Sequence, residues 1–209
     1  MLDVGCGTGC SAVTLALCLR ARVTAIDIHQ PYLDELSATA MLFCISKLVT
    51  PRKMSMANMK FKPGTFDLIW AEGSAYFLGI RRSLETWLPL LNDEGQIAFT
   101  ELCWLPGRRP VEAVKYFAQA YPEMTTSAAH RATMRAVGYT GCQSWVLPET
   151  DWWDEYLTPL EARMKKLSTE AKQDKGLAGL ILESRQAIDL YRRYPDRIGY
   201  VFHTARKAP

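Results

Sequence analysis

Leu2-Asp3-Val4-Gly5-Cys6-Gly7-Thr8-Gly9-Cys10, running on into Ser11-Ala12-Val13-Thr14-Leu15-Ala16-Leu17-Cys18-Leu19, is the stretch on which the reading of this chain turns. A short apolar strand passes through three alternating glycines into a segment whose apolar residues recur at helical spacing and whose Ala and Leu favour a helix. Glycines at such a turn let the backbone approach a ligand closely, and the helix behind them presents its N-terminus to that ligand. The next β-branched run, Arg22 to Asp27, ends on an acid 18 positions after Gly9. A carboxylate there can accept hydrogen bonds from both hydroxyls of a ribose. Strand, glycine turn, helix, strand and acid together point to an adenosine-containing ligand. The plain alternative is a tight βα turn that binds nothing. A dinucleotide site wants G-x-G-x-x-G, and the place of its third glycine is taken by Cys10.

Outward from this turn, strands and helices alternate. Pro31 suits a first helical turn, and Tyr32 to Lys47 continues as a helix. A strand is expected over Leu48 to Met54, at a sheet edge because of Pro51. Phe66 to Ala71 is a near-continuous apolar strand, the pattern of a sheet covered on both faces. Arg81 to Leu91 reads as a helix stopping at the turn Asn92-Asp93-Glu94-Gly95, and Gln96 to Glu101 as the next strand. Pro110 to Tyr121 and Ser127 to Val137 read as helices, the second closed by Gly138, with final strands at Gln143 to Leu147 and Ile198 to Thr204. The alternation predicts an α/β doubly wound parallel sheet with ligands at the carboxyl ends of its strands. Residues 150–197, almost wholly helical, are expected to form a lid inserted before the last strand of a single domain spanning 1–209.

Composition sets outer bounds. With 209 residues, 48% hydrophobic and 22% charged, the chain has globular usage. A formal charge of +3, from 25 Lys+Arg against 22 Asp+Glu, gives no electrostatic ground for a nucleic-acid partner. No apolar run reaches the ~20 residues a membrane span needs, and no secretory signal precedes the first strand. The six cysteines, at 6, 10, 18, 44, 103 and 142, include no C-x-x-C pair. They read as reduced thiols of a cytoplasmic protein serving as small core residues, with Cys6 and Cys10 packed beneath the glycine turn. His29, His130 and His203 have no metal-ligand spacing with each other or with the cysteines, so no metal site is expected.

The pattern D-x-G-x-G-x-G resembles the first motif of the class I S-adenosylmethionine-dependent methyltransferases. Phe66 to Gly73 looks like that family's fourth strand, Asn92 to Ile97 like the turn into its fifth, and the likeness covers about residues 1–149 and the final strand. The fragment A-E-G-x-x-Y (Ala71 to Tyr76), with Glu101 and Trp104 further on, is most similar to a subgroup of bacterial small-molecule methyltransferases, whose members also carry helices between the last two strands. The resemblance implies a Rossmann-like seven-stranded sheet, mostly parallel with its last strand antiparallel, and S-adenosylmethionine as cofactor. It implies that Asp3 lies near the cofactor's amino acid portion, that Gly5, Gly7 and Gly9 shape the turn beneath it, that Asp27 holds the ribose and that Ile28 packs on adenine. Relatives often bind the adenine amino group with an acid after the third strand. Here Ser55 stands in that place, and the Met56 backbone N–H is left to meet an adenine ring nitrogen. Losing that charge-assisted bond weakens binding by ~1 kcal/mol. Relatives also usually carry a helical cover before the first strand. This chain starts inside that strand, which reads as an N-terminal truncation and implies weak cofactor affinity and marginal stability.

Methyl transfer from a sulfonium is an in-line displacement that needs no metal, and positioning with water exclusion can supply ~7–11 kcal/mol. Glu72, Tyr76, Glu101 and Trp104 fall at the expected carboxyl edge of the sheet. Glu72, Glu101 and Tyr76 are the catalytic candidates, Glu72 serving either the cofactor's ammonium or the acceptor. Their bland reading is helix capping or pairing with Arg81 or Arg109. Trp152 and Trp153 open the insertion. Trp104 and Trp152 either line the acceptor pocket through cation–π attraction or bury against the sheet. Arg192 and Arg193, near Arg197, either meet an anionic substrate or form a solvated face. The absence of an Asn-Pro-Pro-Tyr-type tetrapeptide after strand four favours a small-molecule acceptor. Two other functions fit less of the pattern: a degenerate, non-catalytic cofactor-binding module, and an NAD(P)-dependent oxidoreductase. Neither the methylated atom nor the oligomeric state is readable.

Overall fold

The computed structural model describes residues 1–209. Its strands are β1 Leu2–Val4, β2 Val23–Asp27, β3 Val49–Lys53, β4 Phe66–Glu72, β5 Leu91–Trp104, β6 Tyr139–Val146 and β7 Ile198–Lys207. The helices are α1 Cys10–Leu19, α2 Gln30–Leu42, α3 Ile80–Trp87, α4 Val111–Ala120, α5 Ser127–Val137, α6 Glu149–Trp152, α7 Thr158–Leu167 and α8 Lys175–Arg193. The strands form one seven-stranded sheet in the order β3-β2-β1-β4-β5-β7-β6, six parallel and the last antiparallel. This is the Rossmann-like, doubly wound arrangement the sequence implies. The strand order reverses direction between β1 and β4, where open α/β sheets leave a crevice.

By compactness the chain divides into two units. The first comprises 1–101, 127–145 and 202–209; the second comprises 102–126 and 146–201. In the first unit, Ala12, Val13, Leu15 and Ala16 of α1 and Leu36 and Ala40 of α2 bury with Val23, Ala25 and Val49. A separate cluster holds Leu2, Val4, Ile26, Phe66 and Ile69 against Leu84 and Trp87 of α3 and Met134 of α5. Strands that feed alternate side chains to two helical layers are buried on both faces, and β1 is buried at all three positions, Asp3 included. Pro51, paired with Ala25, sits on the edge strand β3, where a missing N–H costs no ladder bond.

The turn expected at Asn92 to Gly95 is instead a bulge at the start of a long strand. Leu91 pairs with Phe66, but Leu68 pairs with Gln96, so the intervening residues loop out of register. Asn92 fastens the bulge by donating to Asp67 at 2.7 Å and accepting from the Glu94 N–H at 3.2 Å. The preceding helix correspondingly ends at Trp87 and tightens over Leu88–Leu90.

The second unit has its own core, in which Trp104, Phe117, Trp152, Leu157, Ile181, Ile188 and Tyr191 are buried. The stretch 150–197 is helical, as its pattern predicts, and it shares this core with α4 and residues 102–126. Asp174 caps α8, accepting from the Gly176 and Leu177 N–H groups at 2.9 and 3.1 Å. No helix of the chain is long and apolar enough to cross a membrane.

Candidate active site

The glycine turn is built from backbone. The N–H groups of Gly5 and Cys6 both donate to the Ile26 carbonyl, at 2.9 and 3.0 Å, tying the end of β1 to β2. Gly5, Gly7 and Gly9 all take positive φ, +69°, +53° and +88°, but for different reasons. A Cβ on Gly9 would lie 2.2 Å from Leu36 Cδ1, and one on Gly5 would lie 2.6 Å from Ser74 Cβ. Those two glycines let α2 and the loop after β4 pack against the turn. A Cβ on Gly7 would meet nothing within 4 Å. Gly7 faces open space.

That space is a cleft of about 520 Å3 at the reversal of strand order, a size suited to a small molecule. Its wall includes Gly5, Gly7, Asp27, Ile28, Ser55 and Met56, so six of the sequence-predicted binding residues meet there. Asp27 is fixed by two backbone donors: the Gly7 N–H at 3.0 Å on Oδ2 and the His29 N–H at 2.9 Å on Oδ1. Each carboxylate oxygen keeps a further lone pair. Ile28 is 69% exposed and Phe77 71% exposed, unusual for side chains of this size and apolarity. Ser55 caps the short turn Met56–Asn58, its Oγ accepting from the Ala57 N–H at 3.2 Å, which leaves its hydroxyl proton to donate.

The remaining candidates lie elsewhere. Asp3 is 1% exposed under the turn and accepts a hydrogen bond from the Ala12 N–H, so it caps α1 from below, while its Oδ2 has no partner. Burial, then the neighbouring Glu72 and, after it, Asp27, push the Asp3 carboxyl up to about 7. Glu72 is exposed and accepts from Trp70 Nε1 at 2.7 Å and Ser11 Oγ at 3.1 Å, joining the end of β4 to the first turn of α1. Tyr76 lies at the surface against the ring of Phe77, and Glu101 is buried at the end of the first unit. Neither they nor Glu72 form part of the cleft wall. Trp104 and Trp152 are core residues of the second unit: Trp104 packs edge-on to Phe117, and Trp152 edge-on to Tyr191 and Tyr200.

Three expectations about small residues and histidines are corrected. Cys10 is exposed at the start of α1, not packed beneath the turn, and Cys18 and Cys44 are exposed too, so these cysteines are not core residues. Cys6 is half-buried, its thiol pushed up to about 12 by desolvation and by Asp3 and Asp27. His130 and His203, 73 residues apart, do come together: Nδ1 of one lies 3.4 Å from Nε2 of the other, inside the first unit. Sequence reasoning also missed His29, Tyr32, Ser74 and Phe77 in the cleft wall. Their signal was position alone, since each follows closely on the carboxyl end of β2 or β4.

Residues 1–95 match a family model described as a methyltransferase domain, a span that carries β1 to β4 and the whole cleft wall. The match covers less than half of the chain, and together with the fold and the glycine turn it makes the chain similar to the class I S-adenosylmethionine-dependent methyltransferases. Among curated relatives, O-methyltransferase resE of Aspergillus sclerotiorum is 25% identical over 142 residues, which cover 66% of this chain and 54% of the relative. The chain therefore matches only about half the length of that protein. Among solved structures, the [4+2]-cyclase SpnF superposes with a TM-score of 0.78 at 21% identity, covering 99% of this chain and 74% of that one. A geranyl diphosphate C-methyltransferase from Streptomyces coelicolor A3(2), in complex with Mg2+, geranyl diphosphate and S-adenosyl-L-homocysteine, superposes at 0.70 with 18% identity, covering 99% and 72%. Such likenesses show the fold.

Proposed function

We propose that this chain binds S-adenosylmethionine in the first unit's cleft and transfers its methyl group to a small-molecule acceptor by in-line displacement, without a metal. The observation that carries the reading is electrostatic. The Asp27 and Glu72 carboxylates and the buried Asp3, only partly ionised at neutral pH, interact around one βα turn, and the cleft wall contains no Lys or Arg. A pyrophosphate-bearing dinucleotide would enter a negative field with no cation to meet it. A ligand carrying a sulfonium and an ammonium against one carboxylate is attracted by the same field.

When bound, S-adenosylmethionine supplies a methyl group activated by the positive sulfur. The residues fit it. The spare lone pairs of Asp27 accept from ribose hydroxyls, Ile28 and Phe77 offer apolar faces to the adenine, and the Ser55 hydroxyl and Met56 N–H address its edge. The open face of Gly7 leaves room beneath the sugar. Asp3 and Glu72 act through the field they set up, Asp3 with an oxygen that no protein group satisfies. Acceptor chemistry is proposed to rest on positioning, with Glu101 and Tyr76 second to it. A second reading, cofactor binding without turnover in a degenerate module, is favoured by the position of Glu72, Tyr76 and Glu101 off the cleft wall. We place the protein in the cytoplasm, with neither nucleic acid nor membrane as partner.

Thermal shift tests the cofactor. S-adenosylhomocysteine is expected to raise the melting temperature in a concentration-dependent way, and NAD or NADP to leave it unchanged. The reverse pattern defeats the reading. Incubation with S-adenosylmethionine and a metabolite pool, followed by mass spectrometry for methylated products, separates the enzyme from the binding module.

A further inference from the structure

The second unit contains a hollow of about 640 Å3 that methyl transfer in the first unit does not use. Arg108, Arg109, Lys115 and Arg197 line it, and none of them takes part in an ion pair. The acid in its wall, Glu112, is already engaged by Arg193 at 2.5 Å and by the Tyr194 hydroxyl. Arg192 and Arg193, singled out from the sequence with Arg197, are tied up in ion pairs with Glu161, Glu112 and Asp189. Arg197 is not.

Two of the cations are held in place. The Arg109 guanidinium lies 5.2 Å from the ring centroid of Trp104, which is buried and packed edge-on to Phe117. Arg197 donates to the carbonyls of Asp196 at 2.8 Å and Pro106 at 3.4 Å. Gly107 takes φ +112°, a conformation that favours glycine, and a Cβ there would lie 3.0 Å from the Arg197 guanidinium. Arg108, Arg109 and Lys115 are all exposed, and α4 begins at Val111 in the same wall. Its first N–H groups add positive potential.

We propose that this hollow binds the diphosphate group of a soluble organic ligand. Four cations gathered around one carboxylate that is already paired with Arg193 repel one another unless a further anion joins them. Guanidinium forks pair with phosphoryl oxygens two bonds at a time, and fixing Arg109 and Arg197 beforehand lowers the ordering cost of binding. A single carboxylate leaves most of this charge unmatched; a diphosphate carries enough negative charge to meet several of the four cations at once. The assignment stands independently of methyl transfer, since it concerns only residues of the second unit.

Calorimetric titration of the full chain with inorganic diphosphate and inorganic phosphate tests it. Diphosphate is expected to bind about tenfold more tightly than phosphate. Arg109→Gln and Lys115→Gln should each weaken diphosphate binding roughly fivefold or more. Arg192→Gln removes the same single charge from the Glu161 pair and should change affinity less than about twofold. Lys115 is a surface residue, so its variant keeps the test valid if Arg109→Gln fails to fold. Equal weakening by all three variants, or no preference for diphosphate over phosphate, overturns the proposal. So does tighter binding to phosphatidic acid vesicles or to single-stranded RNA than to diphosphate.

Discussion

Asp3 joins two tasks, capping a helix and setting the field around the turn. It caps α1 through the Ala12 N–H, and its carboxyl is pushed up to about 7 by burial and by Glu72 and Asp27. An acid raised from 3.8 in the unfolded chain to about 7 holds its proton more tightly when folded, so the stability it contributes is complete below pH ~4 and is lost as pH rises through 7. Asp3→Asn should therefore raise the melting temperature at pH 8 and lose that advantage by pH 4, every tenfold change in proton affinity between the two states counting ~1.4 kcal/mol. A calorimetric difference that stays constant from pH 4 to 8 contradicts this account. The glycines separate packing from ligand contact in the same way. Gly9→Ala drives a Cβ into Leu36 and should cost about 1–3 kcal/mol of stability. Gly7→Ala meets no protein atom and should cost only the ~1–2 kcal/mol of its left-handed backbone. Chemical denaturation ranks the two, and titration with S-adenosylhomocysteine should show affinity lost in Gly7→Ala beyond that small fall in stability.

At the scale of elements, the end of β2 is what pins the turn between β1 and α1. Asp27→Asn replaces one of two accepting oxygens with a donor, so either the Gly7 or the His29 N–H loses its partner. The loss should cost ~1 kcal/mol of stability, and S-adenosylhomocysteine affinity, read by calorimetric titration, should fall about tenfold because a ribose hydroxyl loses its acceptor too. An Asp27→Asn protein that binds as well as the parent removes Asp27 from the site. This strand–turn–helix–strand element was legible from sequence because its parts are local: glycines, apolar periodicity and a terminal acid within 27 residues. The bulge at Asn92 was not. The same Asn-Asp-Glu-Gly string that breaks a strand in isolation is held in one here by Asp67 on the neighbouring strand. For Trp104 and Trp152 the sequence left an acceptor pocket and burial both open: aromatic identity marks burial, but which core takes the ring is a tertiary matter. Arg108, Arg109 and Lys115 lie close together in the chain, but Arg197 is about 80 residues away and joins them only when the chain folds.

For the molecule as a whole, acid sensitivity is set by groups that pull in opposite directions. His130 and His203 lie against each other in the first unit's interior, His203 stacked on Phe99 at 4.8 Å. Burial lowers His130 to about 4; burial first, then His130 and Arg131, lower His203 to about 3. Both are neutral when folded at pH values where the unfolded chain, titrating near 6.5, takes up protons. Stability from this pair is thus full above pH ~6.5 and is lost as pH falls towards 4, whereas the Asp3 contribution changes the other way over nearly the same range. Two depressed histidines outweigh one raised acid, so net stability should climb from pH 4 to about 6.5 and level off. His203→Phe keeps an aromatic ring stacked on Phe99 and removes one titrating group, so its stability should fall less steeply below pH 6.5 than that of the parent. Urea midpoints at pH 4.5, 5.5 and 7 measure both slopes. Parallel acid limbs for parent and variant would mean that other groups govern the transition.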